Sequence, residues 1–364
     1  MPMPDPVHDS SRPAARTPRP AASAASSVPA ADPGGEGGRR RLLAAFGALG
    51  AGAALGGCAW RPGWFAAAPA VEAPAGAPTV ADAGSPHYRF ARMTLPSADG
   101  RRRYRLQIAV PTLAPPAPGY PAIYLLDGNA AFAALDAAQL AALAATGRPP
   151  VIAAIGYDTQ DAFDVVARAY DYTPPVPGEQ PTMEDAARGR LGGGADRFLD
   201  LLLGTLRPAV RDSAAIDPRR ETLWGHSYGG LFVLHTLFTR PASFARYAAA
   251  DPSLWWHGGF ILREEDVATP MPPGPPRALL VMTGGAAAEV AADGPRPARP
   301  GVDPAQAERA RALRRSVPPD AARRMVARLA ARPGLTATLR EFPGVGHGPM
   351  LAASLGPALE WAVR

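Results

Sequence analysis

The sequence predicts a three-layer α/β domain with a mainly parallel central sheet and an N-terminal antiparallel hairpin. Three observations carry this reading. Residues 88–95 and 103–110 each alternate apolar and polar side chains, and the turn Ser97-Ala98-Asp99-Gly100 joins them. Residues 122–126 and 151–155 are apolar throughout, as parallel strands covered on both faces must be. From there to the C-terminus, strand-like runs alternate with helix-like ones, the pattern of a sheet with helices packed on it.

Taken from the N-terminus, residues 1–38 are rich in Pro, Ala, Ser and Gly and cannot bury a core. Arg39-Arg40-Arg41 then precedes the apolar stretch 42–57, which ends in Leu55-Gly56-Gly57-Cys58. A basic start, a short apolar run and small residues before a cleavage point make an export signal. Sixteen apolar residues are short for a membrane-spanning helix. Leu-Gly-Gly-Cys resembles a bacterial lipobox, and the Arg-Arg-x-Leu-Leu run resembles a twin-arginine signal. The expectation is a leader and lipoprotein-type signal over 1–58, lipidated at Cys58, and an Ala/Pro-rich tether over 59–86. The catalytic domain, 87–364, would then be periplasmic or held at a membrane through that lipid.

Within the domain, the hairpin and strand 122–126 lead to a helical stretch over 130–145, then strand 151–155. Residues 157–194 are long and irregular, with Tyr-Asp-Tyr-Thr-Pro-Pro-Val-Pro and three consecutive glycines. A loop of that length in a compact domain is usually functional or disordered. A helix over 196–210, strand 221–224, a helix over 231–239 and an apolar run over 247–250 follow. Strands at 278–283 and 336–342 flank a loose stretch, 284–304, and an arginine-rich helical one, 305–331, broken at Pro318-Pro319. Residues 351–363 close the chain as a helix.

Composition narrows the chemistry. All 38 basic residues are arginine, so a phosphate-loop lysine, a Schiff-base lysine and a Ser-x-x-Lys dyad are excluded. A single cysteine excludes an intrachain disulfide and a cysteine-cluster zinc site. The formal charge of +6 comes from dispersed arginines, not a basic stripe interleaved with aromatics, which argues against nucleic-acid binding.

The chemistry centres on Trp224-Gly225-His226-Ser227-Tyr228-Gly229-Gly230. A serine between two glycines, after a strand and before a helix, is a nucleophile elbow: the turn is too tight for side chains, and it lifts the hydroxyl above the sheet. A serine hydroxyl needs a base. His347, in Gly346-His347-Gly348 after the last strand, is the candidate; His226, His235 and His257 are weaker ones. Chain order puts an orienting acid between 228 and 346. Glu289 is the first choice, with Asp251 and Asp293 as alternatives. Oxyanion donors are expected from the backbone of Tyr228 and from the loop after the third strand, at Gly128 and Asn129. Trp255 and Trp256 offer aromatic faces to a substrate, or core packing. Arg168 and Arg190 in the long insert suit an anionic ligand, or solvent.

Six motifs occur in order: Tyr124-Leu125-Leu126-Asp127-Gly128-Asn129, Asp171-Tyr172-Thr173-Pro174, Gly192-Gly193-Gly194-Ala195-Asp196, the elbow, Pro252-Ser253-Leu254-Trp255-Trp256 and Gly346-His347-Gly348. Over about residues 88–364 this set resembles the putative-esterase branch of the α/β-hydrolases, specifically the siderophore (enterobactin-type trilactone) esterases. The resemblance implies an α/β-hydrolase fold with Ser227 as nucleophile and His347 as base. It also implies hydrolysis of ester bonds in a catecholate siderophore, the ferric form included, without metal or organic cofactor, and adds Tyr172 to Arg168, Trp255 and Trp256 as substrate contacts. Two positions depart from the pattern. Gly285-Ala286 stands where relatives carry Gly-Glu, which leaves the acid open, and Asp251-Pro252-Ser253 stands where they read Ser-Pro-Ser. An acyltransferase or peptidase on the same scaffold, or a non-catalytic surface binding lipoprotein, are the alternative functions.

Overall fold

The computed structural model describes residues 78–285, 308 and 312–364, all within the unit Gly63–Arg364. The leader and signal 1–58 with Cys58, most of the tether 59–86, and Glu289 and Asp293 lie outside the described residues. A short helix α1 (Val80–Ala83) precedes the hairpin β1 (Tyr88–Pro96) and β2 (Arg103–Pro111). These pair antiparallel, Tyr88 opposite Pro111 and Pro96 opposite Arg103.

Then come β3 (Tyr120–Leu125), α2 (Gly128–Ala133), α3 (Ala137–Ala145), β4 (Val151–Tyr157) and α4 (Val165–Asp171). A two-stranded ribbon, β5 (Met183–Asp185) with β6 (Arg190–Leu191), leads to α5 (Ala195–Leu201), a π-helical turn Leu202–Leu206 and α6 (Arg207–Ser213). The elbow strand β7 (Ile216–His226) runs into α7 (Tyr228–Thr239), followed by β8 (Arg246–Ala250), α8 (Trp256–Asp266), β9 (Arg277–Gly284), α9 (Ala321–Ala330), β10 (Leu335–Phe342) and α10 (Met350–Ala362).

Eight strands form one sheet in the order β1-β2-β4-β3-β7-β8-β9-β10. β2 runs antiparallel to β4, and every pair from β4 to β10 is parallel. Alternate side chains feed two cores. From β3, Ala122 and Tyr124 face Phe232 of α7, Phe198 of α5 and Leu329 of α9. Ile123 and Leu125 face Phe132 of α2, Leu140 of α3 and Leu355 of α10. That is why these strands read as apolar throughout. The chain leaves β3 toward β4 and later returns on β3's other side as β7. The crevice between the carboxyl ends of β3 and β7 is therefore the topological switch point, where such sheets bind ligands.

Two stretches differ from expectation. The helix foreseen over 130–145 is two helices. Asp136 caps the second, accepting from the Gln139 N–H at 2.7 Å while the Gln139 amide bonds back to the Asp136 N–H, a capping box written in the sequence as Asp-x-x-Gln. The insert 157–194 holds α4 and the β5–β6 ribbon, elements too short to leave a periodic signal. Between β9 and β10, residues 308 and 312–314 are helical and α9 follows the break at Pro318-Pro319, as the sequence reads.

Candidate active site

His226 pairs with Ala250 across β7 and β8. The next residues, Ser227 and Asp251, thus leave neighbouring parallel strand ends side by side. Both turn left-handed, Ser227 at φ 61° and Asp251 at φ 41°, an uncommon and strained backbone for non-glycine residues that clusters at functional sites. The Ser227 N–H donates to the Ala250 carbonyl at 3.0 Å, and Ser253 N–H donates to the Ser227 carbonyl at 3.2 Å. The elbow is this tight because Gly225 backs directly onto α7: a Cβ there would lie 2.4 Å from the Gly229 carbonyl group.

His347 follows β10 by five residues and arrives over this pair. Its Nε2 lies 3.0 Å from Ser227 Oγ, and its Nδ1 lies 2.6 Å from Asp251 Oδ2. Among the described residues, the carboxylate that meets the imidazole is Asp251, one of the two alternatives, and it occupies the nitrogen that the first choice Glu289 would have needed. Burial would raise the Asp251 carboxyl, but the hydrogen bond and charge of His347 hold it below the usual range. Ser253 Oγ sits 3.2 Å from Ser227 Oγ. With Ser227 donating to His347, Ser253 is the donor of that pair.

The loop after β3 lies against the start of α7, since a Cβ on Gly229 would come 3.4 Å from Leu126 Cβ. Gly128 is forced by close approach, with Ile155 backbone atoms 2.5 Å from where a Cβ would stand. Asp127 takes φ 51° there. Its N–H donates to the Tyr172 hydroxyl at 3.1 Å, and its carboxylate receives both Nε and Nη2 of Arg168 at 2.8 Å. Gly128 and Asn129 open α2 and Tyr228 opens α7. First-turn N–H groups have no intrahelical acceptor, so the expected oxyanion donors are unspent. The Asn129 amide is committed elsewhere, donating to the carbonyls of Tyr157, Thr159 and Asp161.

Several expected substrate contacts are corrected. Tyr172 is fully buried and supports the Asp127 loop. Trp256, 2% exposed, packs edge-on against Phe260 and belongs to the core. Arg168 turns its fork to Asp127, which leaves only Nη1 without a protein partner; its guanidinium lies 5.3 Å from the Tyr228 ring centre. Arg190 pairs with Glu184, which also accepts from the Tyr228 hydroxyl at 2.5 Å. Trp255 stays at the rim, 6.0 Å from the Tyr228 ring, with Arg314 over its own ring at 5.9 Å.

His235 and His257 make structural pairs: His235 with Glu264 and Asp196, His257 with Glu179. Donor atoms of His226, Asp251 and His347 lie within 4.8 Å of one another, the sort of cluster that can ligate a metal. All three residues are engaged in hydrogen bonds, His347 with Asp251 and His226 with the His347 carbonyl, an arrangement suited to holding a proton.

The putative esterase family matches residues 97–272. A solved enterobactin hydrolase, in complex with DFP, is 33% identical with a TM-score of 0.57, over 78% of this chain and 98% of that one. This chain belongs to the putative-esterase family, in its siderophore-esterase branch. The siderophore hydrolase EstB from Aspergillus nidulans is 30% identical with a TM-score of 0.61, over 77% of this chain and 95% of that one, and the fold of this esterase-family member is the α/β-hydrolase fold. Among curated relatives, the apo-salmochelin esterase of Escherichia coli is 44% identical over 177 residues, 49% of this chain and 55% of that protein. The ferri-bacillibactin esterase BesA of Bacillus subtilis is 39% identical over 175 residues, 47% of this chain and 60% of that protein. The chain thus spans a little over half the length of these curated relatives.

Sequence alone assigned no role to Glu184 or Ser253. Ser253 had a signal, its place three residues beyond a strand end beside the elbow. Glu184 had none, because its contact with Tyr228 crosses an irregular insert.

Proposed function

We propose that this protein is an exported serine hydrolase that cleaves carboxylic esters of a catecholate siderophore through an acyl-enzyme. The observation that carries the reading is the unbroken chain from Ser227 Oγ through His347 to Asp251, with links of 3.0 and 2.6 Å. Ser227 Oγ attacks the ester carbonyl carbon while its proton passes to His347 Nε2. Asp251 fixes the imidazole with Nδ1 protonated and stabilises the cation that forms. The oxyanion meets the N–H groups opening α7 and α2 and the charge of Arg168. Collapse expels the alkoxide, which takes the proton from His347, and water then releases the acyl group by the same route.

The substrate class rests on the relatives, whose names specify enterobactin, apo-salmochelin and ferri-bacillibactin. At the rim, Trp255 under Arg314 presents an aromatic face with a cation beside it, suited to an electron-rich ring. Export and lipidation at Cys58 rest on the signal-like segment 39–58.

Ser227→Ala is expected to abolish turnover of a p-nitrophenyl ester and labelling by a fluorophosphonate, with circular dichroism unchanged. Retained turnover would overturn the serine mechanism. A hydrolysis screen over ferric and iron-free catecholate trilactones, beside short-chain esters, tests the substrate. No preference for the trilactones would leave an esterase of another specificity. Mass shift and membrane partition of wild type against Cys58→Ala test the anchor.

A further inference from the structure

The hydrolysis outlined above leaves His226 idle, although it is buried and touches the base. As the last residue of β7, it immediately precedes the nucleophile. Its ring lies 4.8 Å from that of His347, tilted by 39°. Its Nε2 is 2.8 Å from the backbone carbonyl oxygen of His347. A carbonyl only accepts, so Nε2 carries a proton and donates it. Burial, reinforced by the charge of His347, depresses His226 to about 3, so the neutral donor form persists wherever the enzyme works.

Asp251 and Ser227 hold the His347 side chain, but the backbone of the loop has few long-range ties. His347 stands between Gly346 and Gly348, and a Cβ on either glycine would meet nothing within 4 Å. Val345 packs into the core on one side. On the other, the N–H groups of Met350 and Leu351 bond to the carbonyls of Gly346 and Gly348 at 3.1 and 3.2 Å. Those ties are local to the loop and to α10. The His226 bond is different in kind: it runs from the strand that carries the nucleophile to the peptide that carries the base, across 121 residues of sequence.

We propose that His226 is a positioning residue, whose Nε2–H fixes the distance between nucleophile and base by fastening the His347 backbone to the end of β7. The inference rests on the serine-hydrolase reading and adds a residue to it. It explains why a polar ring occupies a buried place beside the elbow where an apolar one would cost less to bury.

The test compares His226→Leu, His226→Gln and His226→Asn with wild type. Readouts are p-nitrophenyl ester kinetics, the fluorophosphonate labelling rate and the pH profile of kcat/KM. Misplacing a catalytic group by about 1 Å costs about a hundredfold. Leucine, which removes the donor, is expected to lower kcat and labelling by roughly that factor while KM moves less than about twofold. Glutamine places an amide N–H near the Nε2 position and recovers most of the loss, with a pH profile of wild-type shape. Asparagine falls short by about one bond and stays slow. If the leucine variant does not fold, the glutamine–asparagine contrast decides alone. Wild-type rates in His226→Leu, or equal rates in the glutamine and asparagine variants, overturn the proposal. A pH profile that loses a limb in His226→Gln also overturns it, because His226 would then be transferring protons itself. Failure of the underlying reading looks different, since wild type would then escape labelling or Ser227→Ala would keep its turnover.

Discussion

His235 sits in the middle of α7, 1% exposed. Its Nδ1 lies 2.9 Å from both carboxylate oxygens of Glu264 on α8, and its Nε2 lies 3.3 Å from Asp196 on α5. Burial alone would lower the imidazole, but the hydrogen bonds and charges of the two carboxylates outweigh it and hold it up at about 9. Asp196 is correspondingly held below its usual range, chiefly by its bond to His235. Glu264, 13% exposed, is the stronger partner; Asp196, at 45%, is screened by water. The folded state therefore keeps a proton that the unfolded chain releases near 6.5. Stability from this group is fully present below pH 6.5 and is lost as pH rises toward 9. The gap is worth about 3 kcal/mol, a Tm difference on the order of 6–10 °C for a domain of this size. Urea melts of wild type and His235→Gln at pH 6 and pH 9.5 measure it. The wild-type advantage is expected at pH 6 and should all but vanish at pH 9.5. A difference independent of pH between these limits would show that the imidazole is neutral in the fold and refute the reasoning.

Three further predictions test other parts of the structure. Asp251→Asn is expected to lower kcat by roughly 10³–10⁴ with little change in KM, whereas Glu289→Gln and Asp293→Asn should keep wild-type rates in the same ester assay. Gly225→Ala puts a methyl group against the α7 backbone at the elbow, and soluble yield and fluorophosphonate labelling should both collapse. Burial pushes Asp171 up to about 6, against the pull of Arg102, Tyr104 and Tyr157. The folded state keeps that proton between about pH 4 and 6 while the unfolded chain loses it, so this group subtracts up to about 3 kcal/mol as pH rises through the window. Asp171→Asn should flatten that slope in pH-dependent melts.

The sequence by itself determined the parallel sheet, the hairpin and the elbow, because each is local. An apolar run of five residues reads as a doubly covered strand, and Gly-x-Ser-x-Gly after such a run admits few backbones. His347 was legible for the same reason, a histidine between glycines just past the last strand. Asp251 could only be an alternative, since chain order favours the loop after β9. What selects it is that Ala250 lies opposite His226, a register no spacing rule contains. Arg168 read as a ligand contact in a polar insert, and the family resemblance added Tyr172; the fold instead turns both onto Asp127, where a strained turn needs holding. Tertiary structure decided these roles because each joins residues far apart in sequence, and the energy of such pairs depends on distance in space.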